Sequence, residues 1–438
     1  MSSPRLRAEP SAGLGGAFRP PSDKSISHRA LILGAMAAGD THVDGLLQSD
    51  DVLATARAVA ALGAEVERVG PDRWRVRGSH RWRSPADPLD CGNSGTAGRL
   101  LLGAIAGRPI TATLTGDASL RRRPMARVVE PLAAMGARFA PHGGTLPLTV
   151  MGGALGPLRY RAPVASAQVK SAILLAGLGA TGEVEVVEPV PTRDHSERLL
   201  RAMGVEVEIT DGPDGRSIRL GAGRTLSPVQ LAVPADPSSA AFLLVAALLV
   251  PGSDVSATGV LHSPYRDGFL RALRGMGADL HLTGEGEAAS ERTATIRARS
   301  SGLRGAVLPA AVAASAIDEY PILAVAAAFA DGPTRLEGLA ELRHKESDRL
   351  ARIADGLRRC GVEVEEGPDS LVIHGRGGPP PGGALVETGG DHRISMAFLV
   401  LGLAARAPVT VDGAGMIATS YPGFVAQARA LGARLEAA

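Results

Sequence analysis

Six times along the chain, a helical run ends in a tag close to Leu-x-x-(Met or Leu)-Gly-(Ala or Val) and passes directly into an alternating strand. The copies are VAALGAEVE around Gly63, LAAMGARF around Gly136 and LRAMGVEVEI around Gly204. LRGMGADLHL around Gly277, LRRCGVEVEE around Gly361 and ARALGARLE around Gly432 follow. The spacing is roughly 70–85 residues, beyond the usual solenoid period of about 20–50. Leu and Met at helical spacing predict a buried helix face. The Gly supplies the left-handed residue that ends the helix. The alternation after it, as in Val205-Glu206-Val207-Glu208, predicts a half-buried strand. Six copies therefore predict six similar α/β subdomains.

Two Pro-rich stretches mark seams in this series. Pro20-Pro21-Ser22-Asp23 precedes the first unit, and Pro234-Ala235-Asp236-Pro237 lies between the third and fourth. Two globes of three units each are expected, and 438 residues suffice for both cores. Aromatics make up only 3%, so those cores must be built from Ala, Leu, Val and Ile.

Lys plus Arg is 47 and Asp plus Glu is 45, a net charge of +2. That balance argues against a nucleic-acid or membrane-surface protein. Any anion site must come from local clustering. Cys91 and Cys360 are too few for a disulfide framework or a Cys-rich zinc site, and both read as buried small residues. The polar stretch Met1–Pro10 lacks a signal-like apolar run, and the run from Ala240 to Val250 is too short to span a bilayer. A cytoplasmic location is expected. HExxH is absent, the ten His are scattered, and no dinucleotide fingerprint follows a strand, so neither metal nor cofactor is expected.

The chemistry is carried by short polar segments that open apolar helices. PSDKSISHR places Lys24, Ser25 and Arg29 at a predicted helix over 26–38, where unpaired N–H groups favour anions. An ordinary capped surface helix explains that segment alone equally simply. CGNSGTAGR, residues 91–99, brings Gly95 to a second helix start, where backbone can approach a ligand closely. LRRRP contains Arg121, Arg122 and Arg123; such runs are mostly solvated, yet Arg forks suit carboxylates and phosphates. ASAQVK places Ser166, Ala167 and Gln168 before another apolar helix, with Ser166 as a simple N-cap in the plainer reading. In TRDH, Asp194 with Glu197 resembles a capping pair and His195 reads as a surface histidine.

In the second half, IDEYP puts Asp318 and Glu319 before an apolar helix, pointing opposite ways in a strand or turn. In RHKESDRL, Lys345, Glu346 and Arg349 are dense charges, with Glu346 and Arg349 spaced to share a helix face. DHR places Arg393 at the mouth of a last apolar helix.

Taken in order, PSDKSISHR, GNSGT, RRRP, SAQ, IDEYP, KESDR and DHR resemble the 3-phosphoshikimate 1-carboxyvinyltransferase (EPSP synthase) family over essentially the whole chain. The resemblance implies an α/β, two-domain enolpyruvyl transferase fold of six βαβαββ units, three per domain, forming two inside-out globes. Residues 23–235 would form one globe, and residues 1–22 plus 236–438 the other, with the active site in the cleft between them. It implies transfer of the enolpyruvyl group of phosphoenolpyruvate to the 5-hydroxyl of 3-phosphoshikimate, by a monomer without cofactor.

It also implies roles. Lys24, Ser25, Arg29, Ser166, Ala167, Gln168, Arg193, Asp318 and Lys345 would hold 3-phosphoshikimate. Lys24, Gly95, Arg123, Gln168, Arg349 and Arg393 would hold phosphoenolpyruvate. Asp318, Glu346 and Lys24 would move protons. Thr419 stands where many members carry a lysine, and Glu341 where an asparagine is frequent. Ala167 replaces the second serine of a pair. These departures resemble a divergent bacterial branch. Gly95 is unsubstituted at the position where Ala is linked to glyphosate tolerance, which implies sensitivity. The alternative is the sister family acting on UDP-N-acetylglucosamine, but its reactive loop cysteine has no counterpart among Arg121–Pro124. A non-catalytic repeat scaffold would explain six units, but not the acids and aligned cations.

Overall fold

The computed structural model describes residues 4–141 and 144–438. All six tag glycines have left-handed backbone, with φ between 80° and 114°. Each ends a helix that loses its apolar face to the core, then turns the chain into a strand. An L-residue with a side chain would be strained there, which is why the tag tolerates Leu, Met or Cys before the glycine but keeps the glycine itself.

The described residues form six four-stranded sheets, all with the same plan. One parallel pair is extended by two further strands, as where Leu158–Arg161 runs parallel to Val184–Glu188, which pairs antiparallel with Gly215–Leu220. Three sheets are completed by distant segments. Gln230–Ala232 runs parallel to Gly39–Asp44. Gly15–Phe18 runs parallel to the strand Asp254–Leu261. Leu6–Glu9 lies between Val409–Val411 and Arg434–Ala437.

The helices are α1 (Lys24–Met36), α2 (Asp50–Ala61), α3 (Gly95–Ala106), α4 (Ala126–Ala134), α5 (Ala167–Gly177), α6 (His195–Ala202) and α7 (Pro237–Leu249). They continue as α8 (Gly268–Gly275), α9 (Ala310–Ala316), α10 (Tyr320–Phe329), α11 (Arg349–Arg359), α12 (His392–Ala404) and α13 (Phe424–Ala430). Helices α1, α3, α5, α7, α10 and α12 are buried almost all round, as their near-continuous apolar sequences require. Helices α2, α4, α6, α8, α11 and α13 carry the tags, so each bears an apolar stripe and a polar back. Burying helices inside sheets inverts the usual layering.

The chain divides into two compact units. One comprises residues 22–234 with 287–291, here the first-half unit. The other comprises residues 1–21, 235–286 and 292–438, the second-half unit. The segment Glu287–Glu291 corrects the sequence reading, which put it with the second half. It is the tip of the hairpin Asp279–Ala288/Glu291–Arg299, and it groups with the first-half unit because Glu291 is buried against α6. Among the described residues, no helix is long and apolar enough to cross a membrane.

Candidate active site

PSDKSISHR, GNSGT, SAQ and DHR run into the first turns of the buried helices α1, α3, α5 and α12, while Arg121–Arg123, Asp318 and Lys345–Glu346 lie in or beside turns. The sequence reading starts α1 at Ile26, whereas the structure starts it at Lys24; α10 and α12 likewise start in the polar segments, at Tyr320 and His392. Polar residues at these starts are tolerated because the first-turn N–H groups need partners, which an apolar first turn cannot offer.

In the first-half unit, Asp23 caps α1 by accepting from Ile26 N, and Lys24 pairs with the buried Asp51 of α2. Arg29, 3% exposed, is fixed on three sides. It donates from Nε to Ser196 Oγ (2.8 Å), and through its terminal nitrogens to Ser171 Oγ (2.7 Å) and the Ser25 carbonyl (2.9 Å). His28, unassigned by the sequence reading, lies between Thr55 Oγ1 (2.7 Å) and Ser94 Oγ (3.1 Å). Burial, then the nearby Lys24 and Arg29 cations, push its pKa well below the ordinary histidine value. It therefore acts as a neutral spacer joining α1 to the GNSGT turn.

Ser94 caps α3 by accepting from Ala97 N (3.1 Å). Of the three arginines in LRRRP, Arg121 and Arg122 are exposed, while Arg123 turns inward. Arg123 donates to the Asn93 carbonyl (3.0 Å), Asn93 Oδ1 (2.7 Å) and Ser119 Oγ (3.1 Å). Arg99 was missed by the sequence reading. It donates to Gln168 Oε1 (2.5 Å) and the Pro124 carbonyl (3.1 Å), and Gln168 in turn donates to Thr96 Oγ1 (3.0 Å). A Cβ on Gly95 would sit 3.0 Å from a terminal nitrogen of Arg99 and 3.4 Å from one of Arg123. An arginine inside the apolar helix α3 was the available signal for Arg99. Cys91 is buried, and burial raises its thiol to about 12, so it is not a nucleophile.

The α5–α6 region needs three corrections. Ser166 is at the N-cap position but its hydroxyl makes no capping bond. Asp194 likewise does not cap α6, and Glu197 pairs instead with Lys170. His195 is not on the surface: it is 1% exposed, with Nδ1 2.6 Å from Glu291 Oε1. For Glu197 and His195 the partner is too far away in sequence for a local reading. Asp194, His195 and Glu291 lie close enough to hold a metal ion. Arg198 already occupies that position, with Nε 2.9 Å from Asp194 and 3.3 Å from Glu291. Ala167 opens α5, and Arg193 is half-buried in the loop before α6.

In the second-half unit, Asp318 lies in the turn between α9 and α10. Three cations face it: Arg349 at 3.4 Å, Lys345 at 3.7 Å and Arg393 at 4.0 Å. Arg393 also donates to the Asp318 carbonyl (3.2 Å). Glu319 points away, but into the core and not to solvent as the sequence reading had it: it is 1% exposed and Ser238 donates to it. Arg349, 1% exposed, pairs with Asp391 (2.8 Å), Glu346 (2.5 Å) and Asp318. Burial works against its charge, but these carboxylates outweigh that and raise its pKa. Glu346 does not share a helix face with it, because α11 begins at Arg349 and Asp348 is the cap. The two meet across the turn instead. Thr419 Oγ1 donates to the Met416 carbonyl (2.7 Å) and lies 3.4 Å from His392 Nδ1. Glu341 is in the short helical turn Ala340–His344.

The predicted residues thus form two groups. Lys24, Ser25, Arg29, Gly95, Arg123, Ser166, Ala167, Gln168 and Arg193 belong to the first-half unit. Asp318, Lys345, Glu346, Arg349 and Arg393 belong to the second-half unit.

A profile of the EPSP synthase (3-phosphoshikimate 1-carboxyvinyltransferase) family matches residues 8–427. The 3-phosphoshikimate 1-carboxyvinyltransferase of Caulobacter vibrioides is 55% identical over 440 residues, covering 99% of each chain. That of Parvibaculum lavamentivorans is 55% identical over 437 residues, covering 99% of this chain and 97% of its own. The solved EPSP synthase of Acinetobacter baumannii has a TM-score of 0.86 at 42% identity, covering 99% of this chain and 100% of that one. An enolpyruvyl transferase of Streptomyces tendae shares the fold at a TM-score of 0.78 and 19% identity. With a match over almost its full length and relatives identical at more than half of their positions, the chain belongs to the EPSP synthase family.

Proposed function

We propose that this chain transfers the enolpyruvyl group of phosphoenolpyruvate to the 5-hydroxyl of 3-phosphoshikimate, releasing inorganic phosphate. The observation that carries the reading is Asp318, a carboxylate faced by Lys345, Arg349 and Arg393 and lying beside the acid Glu346 on Arg349. It supplies a base and an acid within one cluster of fixed cations. The first-half residues supply the remaining cations and hydroxyls, and the relatives named above support the choice of substrates over a UDP-sugar.

In this reading, Glu346, with Lys24 sharing the proton work, protonates the methylene carbon of phosphoenolpyruvate. Positive charge develops on the neighbouring carbon. The 5-hydroxyl oxygen of 3-phosphoshikimate attacks that carbon while Asp318 takes the hydroxyl proton. A tetrahedral adduct results. Loss of phosphate, with return of a proton from the methyl carbon, restores the double bond. The step needs an acid and a base at opposite ends of one event, and cations that do not move as charge shifts. Lys24, Gly95, Arg123, Gln168, Arg349 and Arg393 are assigned to phosphoenolpyruvate. Lys24, Ser25, Arg29, Ser166, Ala167, Gln168, Arg193, Asp318 and Lys345 are assigned to 3-phosphoshikimate. Thr419 carries no charge, so at that corner the phosphoenolpyruvate phosphate must be balanced by the arginines.

The test is phosphate release from the two substrates together, with each alone as control. Release only with the pair is expected; none with the pair rejects the reading. Gly95, unsubstituted where Ala is linked to tolerance in the family, supports inhibition by glyphosate in competition with phosphoenolpyruvate. Non-competitive inhibition, or none, would reject that part.

A further inference from the structure

Lys170 is a lysine in the middle of an apolar helix. Its side chain is 1% exposed, and its Nζ lies 2.9 Å from Glu188 Oε2 and 2.7 Å from Glu197 Oε1, carboxylates that are themselves 1% and 2% exposed. A buried ion cluster of this kind costs several kcal/mol in desolvation per ion, and an apolar trio would pack at least as well. Its position offers a reason for its presence. Glu188 ends the strand Val184–Glu188, and its carboxylate accepts from both the hydroxyl and the backbone N–H of Thr192. Thr192 adjoins Arg193. Glu197 is in the first turn of α6, next to Ser196, which accepts from Arg29. Lys170 adjoins Ser171, which also accepts from Arg29 and lies 2.7 Å from Ser196. It is one helical step from Gln168 and Ser166. The cluster therefore joins α5, the loop bearing Arg193, and α6, and each of its members neighbours a residue that touches or carries the acceptor-site side chains.

We infer that Lys170, Glu188 and Glu197 are positioning residues that set Arg193 and Arg29 relative to the start of α5 for recognition of 3-phosphoshikimate, an inference that rests on the function proposed above. Two carboxylates face one ammonium. Burial raises the pKa of Glu197, whose Oε2 faces no donor other than its own residue's backbone. Burial opposes the Lys170 charge, but the two carboxylates outweigh it and hold the proton on nitrogen. The cluster is thus a strut of short polar contacts joining α5, the loop bearing Arg193 and α6.

The test is steady-state phosphate release with each substrate varied in turn, alongside calorimetric binding of 3-phosphoshikimate. Thr192→Val is nearly isosteric and removes only the hydroxyl held by Glu188. It should raise the KM and Kd for 3-phosphoshikimate about tenfold, the weight of one lost hydrogen bond to a charged group, and leave the KM for phosphoenolpyruvate within about twofold. Glu197→Leu should do the same, and Glu197→Gln, which still accepts from Lys170, should recover most of the loss. Lys170→Met may be checked by thermal melting, but Thr192→Val decides even where that variant does not fold. Unchanged 3-phosphoshikimate constants in Thr192→Val and Glu197→Leu, with an active parent, overturn the inference and leave the function standing. Equal rises in both KM values also overturn it. A parent that neither binds nor turns over the pair removes the function and this inference with it.

Discussion

The two halves of the chain are built on one repeat, yet they hold their arginines differently. In the first-half unit, Arg29 donates to two serines and a carbonyl, and Arg123 to an asparagine and a serine. In the second-half unit, Arg349 is held by three carboxylates. Lys24, in the same unit, pairs with a carboxylate, Asp51. Neutral donors and acceptors orient a cation without cancelling its field, which suits anion capture. Opposite charges packed at 2.5–3.4 Å orient it more rigidly and keep acids at hand, which suits proton transfer.

This contrast can be broken by mutation. The largest effect is expected where the acids act. Asp318→Asn and Glu346→Gln should each lower kcat by roughly 10²–10⁴ with the fold intact, measured by phosphate release and circular dichroism. Full turnover in either variant would remove its role. Next comes Arg349→Met, which removes the buried cation shared by Asp391, Glu346 and Asp318. It should cost about 3–5 kcal/mol in denaturant unfolding. Arg29→Met should cost less, about 1–3 kcal/mol, because Ser171 and Ser196 already lie within hydrogen-bond reach of each other. Equal losses for the two would mean that the halves are not organised differently.

The smallest effect is one of pH. The folded pKa of His28 lies below its unfolded value of about 6.5, so the unfolded chain binds the extra proton as pH falls through that value. Its stabilisation is complete above about pH 6.5 and declines toward the folded pKa, by at most about 1.4 kcal/mol per pH unit. Unfolding midpoints at pH 7 and 5.5 should therefore differ less in His28→Gln than in the parent. An unchanged difference would mean that other groups set it.

What was legible in the sequence follows from distance along the chain. The tag glycines announced themselves because a helix end and a strand start are local, and all six are left-handed in the structure. The buried helices were legible from apolar runs, though their starts were placed late because polar first turns look like loops. The motif residues were recognisable as a set. Glu197 was misread as half of a capping pair because its true partner, Lys170, lies in another helix. His195 was misread as a surface residue because Glu291, which covers it, comes 96 residues later. His28 and Lys170 left one trace each, a titratable residue inside an apolar helix. That trace says such a residue must be satisfied, but not by what.

The strand Leu6–Glu9 is made long before both its neighbours, Val409–Val411 and Arg434–Ala437. The first-half unit draws on an almost continuous stretch, residues 22–234, and needs only five residues from later in the chain. A growing chain could therefore bury most of one core while the other waits for its closing strands. Until those partners are made, Leu6–Glu9 carries a row of backbone donors and acceptors whose ladder is still to come, and shielding that edge falls to the surroundings of the growing chain rather than to the fold.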